Sequence, residues 1–390
     1  MVPRGLGFGE APLRIALVHS FYTRRFPSGE NQVVEAQAQA LRHAGHEVLV
    51  LGRHTDDLAQ VSGYGPRAAA RVATGMGGDP ERHLAAFGPD VVHVHNLFPN
   101  IGTAWLARWQ GPVVATVHNF RPLCANATLF RDGATCTLCP DGDRWAGVRH
   151  ACYRDSRVKT LPLAVRNRGG AAKDAVIARA DRLVLLADRQ AAVYESYGVP
   201  SAAMDVIPNF VTDVTPTVLP APLSPRWIVA GRLTPEKGVR QLVEWWPVNV
   251  PLDIVGEGPE ASLISGPSVT LLGSLPREEL RALLPSYTGL VVPSIWVEGA
   301  PQVVVEALEA GIPVVARAGG TPADLVETLG AGAVWDGASP LDTVLSSVVA
   351  CGDSLRSSVR SSYLRRFLPE RWVESIEECY RAACRQHTTS

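Results

Sequence analysis

The stretch VVPSIWVEGAPQVVVEALEAGIP, from Val291 to Pro313, decides the predicted architecture of this 390-residue chain. Its apolar start is typical of a buried strand, and its second half predicts a helix that ends at glycine and proline. Glu298 lies in the turn between them, and Glu306 lies inside the helix. Because the N–H groups at the start of such a helix are unpaired, they favour an anion or a polar ligand.

Three apolar runs upstream of this stretch also end in turns that suit a ligand. Two cations, Arg232 and Lys237, follow the run that ends at Gly231, and the next two runs end at Gly256 and Gly273. In an open parallel sheet, ligands bind at the carboxyl ends of the strands. The spacing therefore predicts one site that combines fixed cations, glycine turns and carboxylates.

At these residues the chain resembles the retaining glycosyltransferases of the GT-B fold, in particular family GT4. The resemblance is carried by GRLTPEKG at Gly231–Gly238, VGEGP at Val255–Pro259, the pair Glu298 and Glu306, and the glycines Gly319-Gly320. It covers nearly the whole chain. It implies an α/β protein with two Rossmann-like, doubly wound domains that face each other across a deep cleft.

The order of predicted elements gives the domain limits. Residues 1–211 are predicted to form the acceptor-binding domain, with a cysteine-rich insertion at 120–155. Residues 212–225 are rich in proline and threonine and predict a linker. Residues 226–366 would form the nucleotide-sugar domain, and the resemblance implies that a helix at 367–390 crosses back to the first domain.

The resemblance implies a role for each residue of the predicted donor site. Arg232 and Lys237 would neutralise the diphosphate leaving group, so that no catalytic metal is required. Glu306 would accept hydrogen bonds from the ribose, and Glu298 would bind the donor sugar. The other donor-binding positions would be Gly29, Gly256, Glu257, Gly273, Gly299, Ala300 and Pro301. Transfer would retain the anomeric configuration by a front-face route.

A histidine completes the predicted catalytic set of His118, Glu298, Arg232 and Lys237. His118 follows the apolar run that starts at Pro112, and relatives place a histidine there near the reacting centre. His95, Asn96 and Asn119 also follow apolar runs and are predicted to line the acceptor pocket. For His95 and Asn96, a role in packing remains equally open.

Four of the seven cysteines fall within the insertion, namely Cys124, Cys136, Cys139 and Cys152. The C-x-x-C spacing of the middle pair suits a zinc site, because a tight turn presents both thiolates to one ion. The alternatives are buried free thiols or a disulfide. Family members with a similar loop suggest that it also shapes the acceptor site.

Composition limits the class of protein. Apolar residues make up 46% and charged residues 19% of the chain, which indicates a globular protein. The net charge of −1 argues against a dedicated nucleic-acid binder. The N-terminus lacks the apolar core of a signal peptide, and no apolar run suits a membrane span. We therefore expect a cytoplasmic enzyme.

Two further questions stay open at this level. The basic segment 144–173 suits either contact with acidic lipid head groups or an ordinary solvated helix surface. A nucleotide-sugar epimerase or phosphorylase of the same fold, or a non-catalytic nucleotide-binding protein, are alternatives to a transferase. An NAD-dependent dehydrogenase is disfavoured, because no G-x-G-x-x-G follows the first strand. A saccharide, a lipid-linked saccharide and a secondary metabolite all remain open as the acceptor. The sequence also leaves the donor sugar, the base and the oligomeric state undetermined.

Overall fold

The computed structural model describes residues 11–24, 29–299 and 301–389, and these form two six-stranded parallel sheets with helices around them. This confirms the predicted α/β class and its two Rossmann-like sheets.

The first sheet, the helices beside it and a small strand pair are formed by the chain up to residue 206. The strands are β1 (Arg14–Phe21), β2 (Glu47–His54), β3 (Val91–Val94), β4 (Val113–Val117), β5 (Phe130–Arg131), β6 (Ala134–Thr135), β7 (Arg182–Leu185) and β8 (Met204–Val206). The helices are α1 (Gly29–His43), α2 (Thr55–Ala59), α3 (Tyr64–Thr74), α4 (Glu81–Phe87), α5 (Ala146–Arg149), α6 (Arg157–Asn167), α7 (Ala175–Arg179) and α8 (Asp188–Ser196). The strand order of the first sheet is β2-β1-β3-β4-β7-β8. Strands β5 and β6 form a separate antiparallel pair inside the cysteine-rich insertion.

The second sheet and the last helices follow residue 226. The strands are β9 (Trp227–Ala230), β10 (Leu252–Val255), β11 (Val269–Gly273), β12 (Gly289–Val292), β13 (Val314–Arg317) and β14 (Gly332–Trp335). The helices are α9 (Val239–Glu244), α10 (Arg277–Leu283), α11 (Gln302–Glu309), α12 (Thr321–Leu329), α13 (Leu341–Arg366) and α14 (Pro369–Thr389). The strand order of the second sheet is β11-β10-β9-β12-β13-β14. Helix α13 is kinked at Gly352, which has non-helical backbone angles.

By compactness the chain divides into two units. One takes the chain up to Thr116, together with Ala175–Leu183 and the chain from Ile376. The other takes Val117–Asp174 and Val184–Ser375. The domain limits at residues 211, 226 and 366 remain predictions.

The strands of both sheets are apolar because helices cover both faces of a parallel sheet. In β1 every residue after Arg14 is buried, and β9, β10 and β12 are buried almost throughout. Parallel strands in such sheets read as continuous apolar runs instead of alternating patterns. Full burial of each Val, Leu or Ile side chain stabilises the fold by about 1.5–3 kcal/mol.

Two buried charged residues, one on helix α11 and one on helix α13, hold the proline-rich segment 212–225 in place. The carboxylate of Glu309 on α11 accepts hydrogen bonds from the backbone N–H groups of Val214 and Thr215. The guanidinium of Arg356 on α13 donates to the carbonyls of Leu219, Pro285 and Tyr287. The segment predicted as a linker is therefore tied down at two points.

The C-terminal part of α14 belongs to the first unit and packs there through two buried polar contacts. The hydroxyl of Tyr380 and Nδ1 of His93 form a hydrogen bond of 2.8 Å. Nε2 of His46 donates to the Glu377 carboxylate at 2.8 Å. Both contacts lie in the interior, where a satisfied hydrogen bond fixes the register of the helix.

Candidate functional site

The centre of the candidate site is an ion pair between Lys237 and Glu298. Nζ of Lys237 donates to one carboxylate oxygen, Oε1, and Oγ of Ser294 donates to the other, Oε2, at 3.1 Å. The two paired side chains are only 18% and 10% exposed. Lys237 Nζ also lies 5.7 Å from the ring centroid of Trp296. The site therefore holds one cation and one carboxylate, both largely withdrawn from water.

Backbone geometry explains why residues 61 positions apart meet here. Lys237 ends a single 3-10 turn, and Gly238 then takes a φ of 67°, which favours glycine. A Cβ at Gly238 would lie 2.4 Å from the carbonyl oxygen of Pro293, just after β12. The glycine of the GRLTPEKG motif thus lets the turn after β9 pack against the segment that leads to Glu298.

Arg232 lines the same pocket but has a different environment. Its side chain is 67% exposed, and it contacts Glu236 at 3.4 Å. Because the Arg232 side chain is exposed to water, this pair contributes little to stability. The guanidinium of Arg232 is thus accessible to an anionic ligand from solvent, whereas Lys237 is largely buried in its pair with Glu298.

The glycine turns of the neighbouring strands touch one another at the same end of the sheet. Gly256 has a φ of 148°, and a Cβ there would lie 1.8 Å from the carbonyl oxygen of Gly231. Its N–H donates to the carbonyl of Gly273 at 2.8 Å, and the carbonyl of Glu257 accepts from Leu233 N–H at 2.9 Å. Side chains larger than hydrogen would separate these turns. The predicted donor residues of β9, β10 and β11 are therefore adjacent.

The second glutamate of the motif is engaged by a residue that the sequence did not single out. Glu306 is 4% exposed, and its Oε1 accepts a hydrogen bond of 2.5 Å from Nε of Arg277. Arg277 is the first residue of α10 and comes four positions after Gly273. The position of Arg277 just after the end of β11 is a signal that the sequence offers. Its pairing with Glu306, however, depends on the direction of the two side chains, which the sequence does not show.

The turn before α11 brings further backbone groups to the site. Oγ1 of Thr321 donates to the carbonyl of Glu298, and Pro301 precedes the first residue of α11 as its N-cap. Gly299 lies between these groups, and Ala300 lies outside the described residues.

The main chain at His118 lies beside Gly299. A Cβ at Gly299 would lie 3.2 Å from the His118 carbonyl oxygen and 3.5 Å from Nε2 of Gln190. The Gln190 amide fixes this strand end, because it donates to Val117 O and accepts from Leu186 N–H. Burial lowers the pKa of His118 to about 4, so its imidazole is neutral at pH 7.

A polar cluster in the first unit contains one of the predicted acceptor residues. Nδ2 of Asn96 donates to the Tyr22 hydroxyl at 2.7 Å and to Oε2 of Glu30 at 3.1 Å. Glu30 is the second residue of α1, which begins at Gly29. The cluster also includes a 3.0 Å hydrogen bond between His19 and Asn31.

The other two acceptor candidates make local structural contacts. His95 is buried, and its ring lies 4.1 Å from the ring of His93. Oδ1 of Asn119 accepts from the backbone N–H of Arg121 at 3.0 Å, and its carbonyl accepts from the Tyr194 hydroxyl at 2.8 Å. Both residues help to shape the ends of β3 and β4, and their predicted contact with an acceptor stays a prediction.

The four cysteines of the insertion are free thiols that line one cavity of about 20 Å³. The members are Cys124, Cys136, Cys139 and Cys152. Burial raises the pKa of Cys139 to about 11 and also raises the pKa of Cys152. Across residues 11–24, 29–299 and 301–389, no three histidine, cysteine, aspartate or glutamate residues converge closely enough to hold a metal ion.

The basic segment 144–173 carries exposed apolar side chains beside its cations. Val158 is 81% exposed, and Trp145 and Leu161 are also exposed. Within the described part of the chain, every helix is too short or too polar to cross a bilayer.

Comparisons with known proteins give two family matches. Residues 27–213 match the model described as Glycosyltransferase Family 4, and residues 222–343 match the model described as Glycosyl transferases group 1. Together the two matches cover most of the chain. No curated protein matches the sequence.

Solved structures of several enzymes share the fold. Sucrose-phosphate synthase from Thermosynechococcus elongatus is 18% identical, with a TM-score of 0.63 over 96% of this chain and 99% of that one. HepE from Anabaena, in complex with UDP and glucose, is 16% identical, with a TM-score of 0.59 and coverages of 95% and 100%. The apo lipopolysaccharide outer core galactosyltransferase WaaB is 14% identical, with a TM-score of 0.58 and coverages of 93% and 98%. At these identities the likeness shows the fold, which is GT-B.

Proposed function

The chain belongs to the family 4 glycosyltransferases, and from this premise we propose that it moves a sugar from a nucleotide-diphosphate donor to an acceptor hydroxyl with retention. The observation that carries the proposal is the pocket at the ends of β9 and β12. There Lys237 and Glu298 form a largely buried pair beside the exposed cation of Arg232. A diphosphate and a sugar hydroxyl need these two kinds of group.

Donor binding would replace the contact between Lys237 and Glu298 by contacts of each side chain with the donor. Without ligand, Glu298 neutralises Lys237, which avoids an unpaired charge in a nearly dry site. When a diphosphate binds, Lys237 and Arg232 would contact its oxygens. Glu298 would then accept a hydrogen bond from a hydroxyl of the donor sugar. The Ser294 hydroxyl would keep the Glu298 carboxylate oriented. Solved HepE complexes with UDP and with UDP-glucose make a UDP-sugar a reasonable first donor to test.

The ribose would bind at Glu306. Its Oε1 is held by Arg277, and none of the described residues donates a hydrogen bond to Oε2. A carboxylate fixed at one oxygen presents the other in a defined direction. The glycine turns at Gly256 and Gly273 leave room for the backbone to approach the base. These roles agree with the resemblance noted from the sequence.

Catalysis would depend on charge placed at the leaving group. As the glycosidic bond breaks, negative charge grows on the diphosphate, and the cations of Lys237 and Arg232 would stabilise it. In the front-face route, the leaving phosphate accepts the proton of the acceptor hydroxyl. His118 would act as a neutral imidazole that hydrogen-bonds the sugar, because its low pKa disfavours the imidazolium form.

Acceptor binding would involve the polar cluster of Tyr22, Glu30 and Asn96. These side chains lie after β1 and β3 and at the start of α1, near Gly29. A phenol, a carboxylate and an amide together offer the donors and acceptors that saccharide hydroxyls require. The cytoplasmic location and membrane contact through residues 144–173 stay predictions.

A structural zinc ion on the cysteine set of the insertion remains part of the proposal. Its support is that four reduced thiols border one small cavity and none is in a disulfide. Tetrahedral thiolate coordination is typical of structural zinc. The thiols would have to move closer together and lose their protons when the ion binds.

A thermal-shift screen tests the donor class. The protein is heated with UDP, GDP, ADP or TDP and with their common sugars. A ligand that binds only the folded state raises the melting temperature by mass action, so one nucleotide should stand out. A shift with NAD alone, or with none of the nucleotides, would argue against the proposed transferase.

A further inference from the structure

Helix α6 carries apolar side chains on its solvent face as well as on its buried face. Thr160, Leu163 and Ala164 are buried. On the other side of the helix, Val158 is 81% exposed and Leu161 is 45% exposed. A helix at the surface of a globular protein normally presents charged or polar residues to water. The solvent face of α6 therefore differs from an ordinary solvated helix surface.

The exposed side chains of α6 belong to one stripe along the helix. Helical geometry places four apolar side chains within about 100° of one another and opposite the buried residues. We call them the outer stripe; they are Val158, Leu161, Pro162 and Val165. The last two are partly exposed. The outer stripe is thus a continuous apolar surface about two helical turns long.

Cations flank the outer stripe on both sides. By the same helical geometry, Arg157 and Lys159 lie beyond its opposite edges, and both are exposed. Among the described residues, neither has a partner in an ion pair, whereas Arg166 on the same helix pairs with Asp174 at 3.0 Å. The stripe is therefore bordered by charges that can meet an anionic surface.

The segment that contains α6 is strongly basic. Residues 144–173 contain eight lysine or arginine residues and one acidic residue, Asp155. The basic residues are Arg144, Arg149, Arg154, Arg157, Lys159, Arg166, Arg168 and Lys173. The whole chain, by contrast, has a net charge of −1. Positive charge is thus concentrated in the segment that carries the outer stripe.

Apolar exposure in this part of the chain is not confined to α6. Trp145 directly precedes α5, which packs against α6, and it is 50% exposed. Leu138 in the cysteine-rich insertion is 39% exposed. An indole ring combines an apolar body with one polar N–H, and such side chains are enriched at membrane surfaces. Exposed apolar groups and cations therefore occur together here.

We propose that the outer stripe of α6 docks the protein on an anionic membrane surface. Val158 and Leu161 would enter the boundary between head groups and acyl chains, while Arg157 and Lys159 would contact lipid phosphates. Helices that lie in this boundary combine an apolar face with lysine and arginine beside it. With 11 residues, α6 is too short to cross a bilayer, so it would lie in the plane of the surface. The inference rests on the membrane contact included in the proposed function and names the surface that makes it.

Charge favours a membrane over a second copy of this chain as the partner. In a symmetric dimer the same surface patch meets itself, so Arg157 and Lys159 of one copy would face the cations of the other. Like charges placed together at an interface oppose binding. Anionic head groups instead attract a basic segment, and each lysine or arginine near the surface strengthens binding about fivefold.

Vesicle sedimentation of the full chain tests the docking surface. Phosphatidylcholine vesicles with and without phosphatidylglycerol are compared. The charge variant is Arg157→Gln/Lys159→Gln, and the apolar variant is Val158→Ser/Leu161→Ser. We expect the wild type to bind only the anionic vesicles. The charge variant should bind them about 30-fold more weakly, and the apolar variant about tenfold more weakly.

Two matched controls change exposed residues elsewhere in the chain. Leu223→Ser/Val248→Ser removes two exposed apolar side chains, and Arg67→Gln/Arg82→Gln removes two exposed cations from α3 and α4. We expect both controls to bind anionic vesicles as the wild type does. Equal weakening in either control overturns the proposal, because binding would then follow overall charge or overall apolar exposure. The nucleotide thermal shift of every variant should match the wild type, which shows that folding and the donor site are intact.

The remaining outcomes separate this inference from the proposed function. No binding of the wild type to anionic vesicles overturns both the docking surface and the predicted membrane contact. If only the charge variant loses binding, the basic segment meets the membrane without the outer stripe, and the inference on α6 fails. Sedimentation velocity without vesicles tests the other partner: a dimer that the apolar variant dissociates would assign the stripe to a second copy and overturn the proposal. The nucleotide thermal shift of the wild type decides the transferase proposal separately.

Discussion

Replacing Lys237 with alanine should impair both catalysis and stability. The side chain pairs with Glu298 in a site where both partners are largely buried. Removing one partner of a buried pair costs about 3–5 kcal/mol, and the residual exposure of Lys237 favours the lower end. Loss of charge stabilisation at the leaving group should lower kcat/KM by a further factor of about 10²–10³.

The assay uses the donor identified by thermal shift and measures kcat/KM together with unfolding by urea. Arg240→Ala is the matched control, because Arg240 lies three residues further on and forms only an exposed pair with Glu244 at 3.7 Å. That pair is worth less than about 1 kcal/mol. Turnover near the wild-type value in Lys237→Ala would refute the role of this residue at the diphosphate.

A double variant separates the two effects. Lys237→Gln/Glu298→Gln removes both charges, so no unpaired charge remains in the site. Stability should recover by at least half of the loss seen in Lys237→Ala, because neighbouring substitutions are not additive. Activity should stay low, since the cation is still missing. Recovery of activity along with stability would show that Lys237 acts only through folding.

Three further predictions concern other parts of the protein. Arg277→Ala should raise KM for the donor about tenfold with a smaller change in kcat, because Glu306 loses the group that orients it; an unchanged KM would contradict this. His118 should titrate with a midpoint near 4 by NMR, so that kcat shows no inflection from it near pH 6.5. The unfolded chain binds a proton on this histidine near its usual pKa of about 6.5, before the folded protein does. The stability that the neutral His118 contributes is therefore fully present above pH 6.5 and is lost as the pH falls toward 4. An NMR midpoint above 6 would refute the neutral imidazole. Purified protein should contain about one zinc ion per chain that is lost on substituting Cys136 and Cys139 by serine but kept when the exposed Cys351 is replaced, and metal-free wild-type protein would end the zinc hypothesis.

The fold and the centre of the site could be predicted because both depend on strand ends. Parallel strands appear as apolar runs, and the polar residue after each run marks the edge where ligands bind. Lys237 and Glu298 each follow such a run, so their meeting did not require knowledge of side-chain directions. Gly238 and Gly256 were visible for the same reason, since a turn with close backbone contacts requires glycine.

Other features depend on side-chain geometry that no spacing in the sequence reveals. Arg277 follows a turn of ordinary composition, and only its direction brings it to Glu306. Glu309 looks like an exposed helix residue but is buried and binds the backbone of the proline-rich segment. A cavity of about 240 Å³ beside the cysteine-rich insertion is likewise invisible in the sequence, because it forms between stretches 122–147 and 164–173 together with Tyr197.

A crystal structure with the nucleoside diphosphate selected by thermal shift would locate the donor site. We expect the diphosphate to lie within hydrogen-bond distance of Lys237 Nζ and a ribose hydroxyl to donate to Oε2 of Glu306. We also expect the contact between Lys237 and Glu298 to lengthen in the complex. Density for the nucleotide away from the ends of β9 and β12, with that contact intact, would contradict these expectations.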